Sequence, residues 1–99
     1  MKVIRKEKTM SPKRKVIKVS SKSPVPQLSG SIVVSIEEGS DVEVRAVGAS
    51  AVNQMYKAIA SARGILATKG RDLYIKPGFD EIKEDDKDRT VMVAYLVIH

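Results

Sequence analysis

The chain has no cysteine and no tryptophan, and its one histidine is the last residue, His99. Without thiols there is no disulfide, no thiolate nucleophile and no cysteine-ligated metal. A single terminal imidazole cannot complete a Ser-His-Asp or Cys-His constellation or a His-rich zinc site, so an enzyme is not expected. Aromatics are scarce, three tyrosines and one phenylalanine, too few for the base-stacking platform of an RNA-recognition sheet. Apolar runs fall well short of the roughly 20 residues that cross a bilayer. No apolar stretch follows the basic start as it would in a secretory signal. A cytoplasmic protein with no membrane contact is expected. The acids between Asp80 and Asp88 lack the spacing and central glycine of a calcium loop, so neither metal nor cofactor is expected.

What is present is a basic start on a near-neutral body. Residues 1–22 hold nine Lys or Arg and one acid, Glu7; residues 23–99 hold nine bases and eleven acids. The balances, +8 and −2, add up to the net charge of +6. A basic arm suits a polyanion, because each phosphate contact releases counterions; the same run also serves as a solubilising tail. The 99 residues suffice for one domain with a modest core. Residues 1–14 are polar, basic and aperiodic, and are assigned to a flexible arm; 15–99 form the domain. Pro12-Lys13-Arg14-Lys15 has the look of a nuclear-import run, but it also simply leads into the first strand.

The element order reads β-α-β-α-β-β. Lys15–Ser20 is a first strand, followed by a polar loop that carries Lys22. Pro24 and Pro26 suit a helix start; Leu28, Ile32, Val33 and Ile36 give that helix its apolar face, and Gly39 its stop. Asp41–Val47 alternates as a strand. A second helix is expected over Ser50–Arg63, with Ser50 as N-cap, an apolar stripe of Val52, Met55, Tyr56, Ile59 and Ala62, and Gly64 as its end. Asp72–Pro77 and Arg89–Ile98 are the last strands, joined by a long acidic turn over Gly78–Asp88. The last strand is apolar on both faces, so with only two helices available a second subunit is expected as a cover, making a homodimer or higher oligomer.

The stretch from Val44 to Ile65 carries most of the functional information. An apolar strand ends at Val47 and a helix starts almost at once, through Gly48-Ala49-Ser50. Such a junction aims free N–H groups and the positive end of a helix dipole at one point, which favours an anion such as phosphate. Gly48 permits close approach of a ligand or simply makes a tight turn. Asn53 and Lys57 share the following helix face, as phosphate or base contacts or as solvated polar residues. Lys22 has the same two readings. Tyr56 and Tyr74 suit core or interface packing better than base stacking.

The segments K-V-S-S-K-S, A-V-G-A-S-A-V-N-Q-M-Y-K-A-I-A-S-A-R-G, D-L-Y-I-K-P-G-F and D-R-T closely resemble the stage V sporulation protein S family over roughly residues 17–98. The resemblance implies the two-layer fold of the Alba nucleic-acid-binding superfamily: a four-stranded mixed sheet with two helices on one face. It also implies a dimer, DNA or RNA as partner, and a regulatory role without enzymatic activity. It points to Lys22 in the loop after strand one and to Gly48-Ala49-Ser50 at the second helix as body contacts. The basic hairpin of DNA-binding relatives is absent: Asp80–Arg89 has six acids and three bases. Binding is therefore expected through Lys13, Arg14, Lys15, Lys22, Gly48, Ala49, Ser50, Asn53 and Lys57. The alternative is a protein-interaction or assembly module without nucleic acid; a small module holding a nucleotide phosphate at the Gly48 turn comes third.

Overall fold

The computed structural model describes residues 13–99, and the basic residues Lys2, Arg5, Lys6 and Lys8 of the expected arm lie outside them. The elements are β1 (Arg14–Val19), α1 (Val25–Glu37), β2 (Asp41–Val47), α2 (Ala49–Ala67), β3 (Leu73–Glu84) and β4 (Lys87–Ile98). They form one mixed sheet in the order β1-β2-β4-β3, with β1 parallel to β2 and the other pairs antiparallel. Fold class and element order are as expected. β1 takes in Arg14, which the sequence pattern assigns to the arm.

The core lies between the helices and one face of the sheet. Ile17 and Val19 of β1, Val42, Val44 and Ala46 of β2, Leu73 of β3, and Ala94 and Leu96 of β4 meet Ile32 and Ile36 of α1 and Met55, Ala62 and Leu66 of α2. The period-2 and helical-period patterns thus converge on one layer. Helix α1 has poor intrinsic propensity, with Ser29, Gly30, Ser31, Val33, Val34 and Ser35 in it, and packing holds it. A Schellman-type close ends it: Gly39 at φ 85° follows the last turn, and the Ser40 N–H donates to the Ser35 carbonyl at 3.0 Å.

Helix α2 departs from expectation at both ends. Its N-cap is Gly48, not Ser50. It also runs through Gly64 to Ala67, because Leu66, fully buried, anchors one more turn; Gly70 at φ 75° follows instead. A mid-helix glycine costs only about 1 kcal/mol relative to alanine, less than burying a leucine contributes. The buried stripe is Ala51, Met55, Ala58, Ile59, Ala62 and Leu66, so Tyr56 falls outside it and is 67% exposed.

The acidic stretch is not a long turn. β3 and β4 continue through it and meet at a two-residue turn, Asp85-Asp86, both at positive φ (52° and 62°). That is the backbone of a type I′ hairpin, whose twist matches the strands. Glu81–Glu84 and Lys87–Thr90 pair only with each other, so the ribbon extends past the end of β2 by about 13 Å at roughly 3.3 Å per residue.

The sheet face away from the helices is closed in part by the chain itself. Arg45 on β2 donates to Glu43 Oε2 at 2.6 Å and to Asp80 Oδ2 on β3 at 2.7 Å. Strand β4 lies between β2 and β3, so the guanidinium crosses it beside Val93 and Val91, the register partners of Arg45 and Asp80. This accounts for both valines being buried without belonging to the helix-side core. Of the outer β4 residues, Tyr95 and Val97 remain partly exposed, so the face that needs a cover is smaller than the sequence pattern suggests.

Candidate nucleic-acid interface

β1 and β2 are parallel, so the loops that follow them leave the same end of the sheet, and the β3–β4 ribbon projects from that end too. Between them runs a groove of about 780 Å³. One side comes from Lys18, Ser20 and Ser21 at the end of β1 and from Gly48, Ala49 and Ser50 at the start of α2; Ile82 and Glu84 of the ribbon form the other.

The loop after β1 is held by its own serines. Ser23 Oγ accepts from the Ser20 N–H at 2.9 Å, Ser20 Oγ from the Lys22 N–H at 3.2 Å, and Ser20 carbonyl from the Ser23 N–H at 3.1 Å. Gln54, on the second turn of α2, then donates from Nε2 to the Ser23 carbonyl at 2.8 Å. Gln54 stands out in no sequence pattern. Only its place one residue after Asn53 brings it near the site, and no pattern reveals a partner 31 residues away. This one bond joins the Lys22 loop to the α2 entrance.

Gly48 caps α2 with φ 91° and ψ 153°, a region that only glycine enters without strain. A Cβ built there meets nothing within 4 Å, so backbone conformation, not space, selects glycine. No side chain caps the helix and no acid stands in its first turn. Its first N–H groups therefore carry the dipole's positive end into the groove uncompensated.

The expected binding residues fall into separate places. Gly48, Ala49 and Ser50 line the groove. Lys22 stands exposed on the serine-held loop beside it. Asn53 and Lys57 are exposed on α2, outside the groove lining. Lys13, Arg14 and Lys15 sit at the start of β1, about 17 Å from its end at roughly 3.3 Å per residue, and so at the opposite end of the sheet. Lys13 presents its carbonyl to the Asp41 N–H at 2.7 Å, and Arg14 donates to Glu43 Oε1 at 2.9 Å. In their place the structure brings Lys18 to the groove, a residue that strand periodicity gives no reason to single out.

Two titrating groups are clearly displaced. The Arg45 guanidinium is held above its usual value, first by its hydrogen bond to Glu43 and then by that to Asp80, against the effect of burial. It stays charged and committed to those acids. The Tyr74 phenol is raised, first by its hydrogen bond to Asp72, far from the groove. Among the described residues no group of His, Cys, Asp or Glu is placed to hold a metal ion, and no helix is long and apolar enough to cross a membrane.

A small two-layer sheet with two helices on one face, open at the end where two loops and a ribbon meet, is an Alba-like fold. Alba from Thermoplasma volcanium superposes with a TM-score of 0.60 over 83% of this chain and 98% of its own, at 12% identity, a likeness of fold. The sequence model of stage V sporulation protein S matches residues 15–99, and the chain belongs to that family.

Proposed function

We propose that this chain is a non-enzymatic regulatory protein of the cytoplasm that binds the phosphate backbone of DNA or RNA and acts as a homodimer or larger homo-oligomer. The observation that carries the reading is the convergence of the Lys22 loop and the uncapped start of α2 on one groove, bonded to each other through Gln54. A groove that a helix dipole enters, with an exposed lysine on the loop beside it, suits a phosphate. The sporulation family and the Alba-like fold agree with this reading. The alternative, an assembly module engaging other proteins, finds its support in the acidic ribbon.

The test is binding to duplex DNA, single-stranded DNA and RNA across a salt series. Lys22→Ala weakens binding while leaving the thermal midpoint in place, because Lys22 is exposed. Asp85→Asn, Asp86→Asn and Asp88→Asn together strengthen binding by removing repulsion at the ribbon tip. Wild-type affinity in the lysine variant, with no gain in the triple variant, favours the assembly module instead.

A further inference from the structure

Two of the three tyrosines lie side by side on the sheet face away from the helices. Tyr95 of β4 is the register partner of Lys76, and Tyr74 of β3 that of Val97. The two tyrosines are therefore diagonal neighbours, about 7–8 Å apart. Both are open to solvent, Tyr74 at 51% and Tyr95 at 36%. Both are also held. Tyr74 donates its hydroxyl to Asp72 Oδ2 at 2.8 Å, and its ring meets His99 edge-on with 5.3 Å between centroids. Tyr95 leans over Gly78, where an added Cβ would stand 3.1 Å from its ring. A glycine inside a strand weakens it; this one leaves room for an aromatic ring to lie low across β3. Composition shows that aromatics are few, but not that strand pairing sets two of them together on one open face.

The same face carries positive charge. A hollow of about 410 Å³ beside Tyr95 is lined by Arg14, Lys76 and Val97. Of the acids in that lining, Glu43 is taken by Arg14 and Arg45, which leaves Asp41. Lys76 pairs with no acid among the described residues. Lys13 stands at this end of the sheet, and the chain that precedes it contains Lys2, Arg5, Lys6 and Lys8 against one acid, Glu7. Cations that track phosphates and open rings that stack bases are the two elements of a surface for single-stranded nucleic acid. A duplex keeps its base faces within its own stack and offers such rings nothing. The largest exposed apolar side chain of the sheet, Phe79, is on the opposite face, so a second copy seated there leaves this one open.

We propose that the outer sheet face near the start of β1 is a second nucleic-acid surface, which takes a single strand by stacking bases on Tyr95 and Tyr74. Lys76 is its phosphate contact. The inference rests on the nucleic-acid reading above and adds a surface to it. Tyr95 lies four residues along β4 from Val91 of the groove, about 13 Å at 3.3 Å per residue. A strand seated in the groove reaches the tyrosines by running on along β4. Stacking tolerates any base, so the surface is not sequence-specific.

The chain has no tryptophan, so its intrinsic emission comes from tyrosine, and a stacked base quenches it. The experiment titrates the full chain with a long, end-labelled single-stranded oligothymidylate, reading tyrosine emission and label anisotropy at several salt concentrations. Emission falls on binding. Tyr95→Leu and Tyr74→Leu each lower affinity several-fold and reduce the quenching, whereas Tyr95→Phe keeps the affinity because the ring makes the contact. Lys76→Ala makes the salt slope shallower by about 0.7, one lost phosphate contact. Thermal midpoints and sedimentation of the leucine variants match wild type. Binding without quenching, or wild-type affinity in both leucine variants, overturns the inference while the nucleic-acid reading stands. A Tyr95→Leu chain that falls to monomer assigns this face to a second copy and overturns it as well. No binding by the wild-type chain overturns both.

Discussion

Arg45 is the residue on which the outer sheet face turns. Glu43 is only 7% exposed, and its carboxylate is held by Arg14 and Arg45 together. A carboxylate this buried is tolerable only when paired. Arg45→Ala removes one of its two cations, frees Asp80 and uncovers Val91 and Val93. Because Arg14 remains, the loss is smaller than for a fully orphaned charge, about 1–3 kcal/mol, read from urea denaturation. A midpoint equal to wild type shows that the Arg45 bridge to Glu43 and Asp80 contributes nothing. Tertiary partnerships of this kind leave no trace in sequence periodicity: alternation places Glu43 and Arg45 on one face of a strand, but cannot say that the strand two places along supplies Asp80. The same holds for Gln54 and the Ser23 carbonyl, whereas Gly48 is legible because its backbone conformation demands glycine.

At the scale of elements, strands and helices with strong local periodicity are plain in the sequence, and β2 falls on its expected bounds. The misreadings occur where a tertiary term outweighs a local one. Leu66 carries α2 past Gly64, and cross-strand pairing carries β3 and β4 through a run of acids that looks like loop. The Asp85-Asp86 turn hides because it lacks the usual Asn-Gly or Asp-Gly pair. The strands also bear on assembly. With Val91 and Val93 already covered, exposed apolar surface also lies on the helix side of the β3–β4 pair, where Phe79, 67% exposed, pairs with Met92, and Ile75 precedes them on the same side. Exposed side chains of this size on paired strands call for a partner. Sedimentation velocity at micromolar concentration is expected to give a dimer or larger, and Phe79→Ser to shift it towards monomer. A wild-type chain that sediments only as monomer contradicts the proposed oligomer.

At the scale of the whole molecule, charge and topology divide the surface into two ends. Loops after β1 and β2, the α2 entrance and the acidic ribbon share one end; Lys13, Arg14 and the start of β2 share the other. The composition reveals a basic start; β1 itself carries Lys13–Lys15 away from Lys22, and the parallel β1–β2 register, which composition does not show, puts the α2 entrance at the Lys22 end. The central claim is that nucleic acid is held at the groove end. Amide chemical shifts of the isotope-labelled full chain, followed as a single-stranded oligonucleotide is added, test that claim most directly. Ser20–Ser23 and Gly48–Ala51 are predicted to shift first and furthest; no shift at all, or shifts confined to Asp41, Leu73 and Ile98 at the other end, contradicts it.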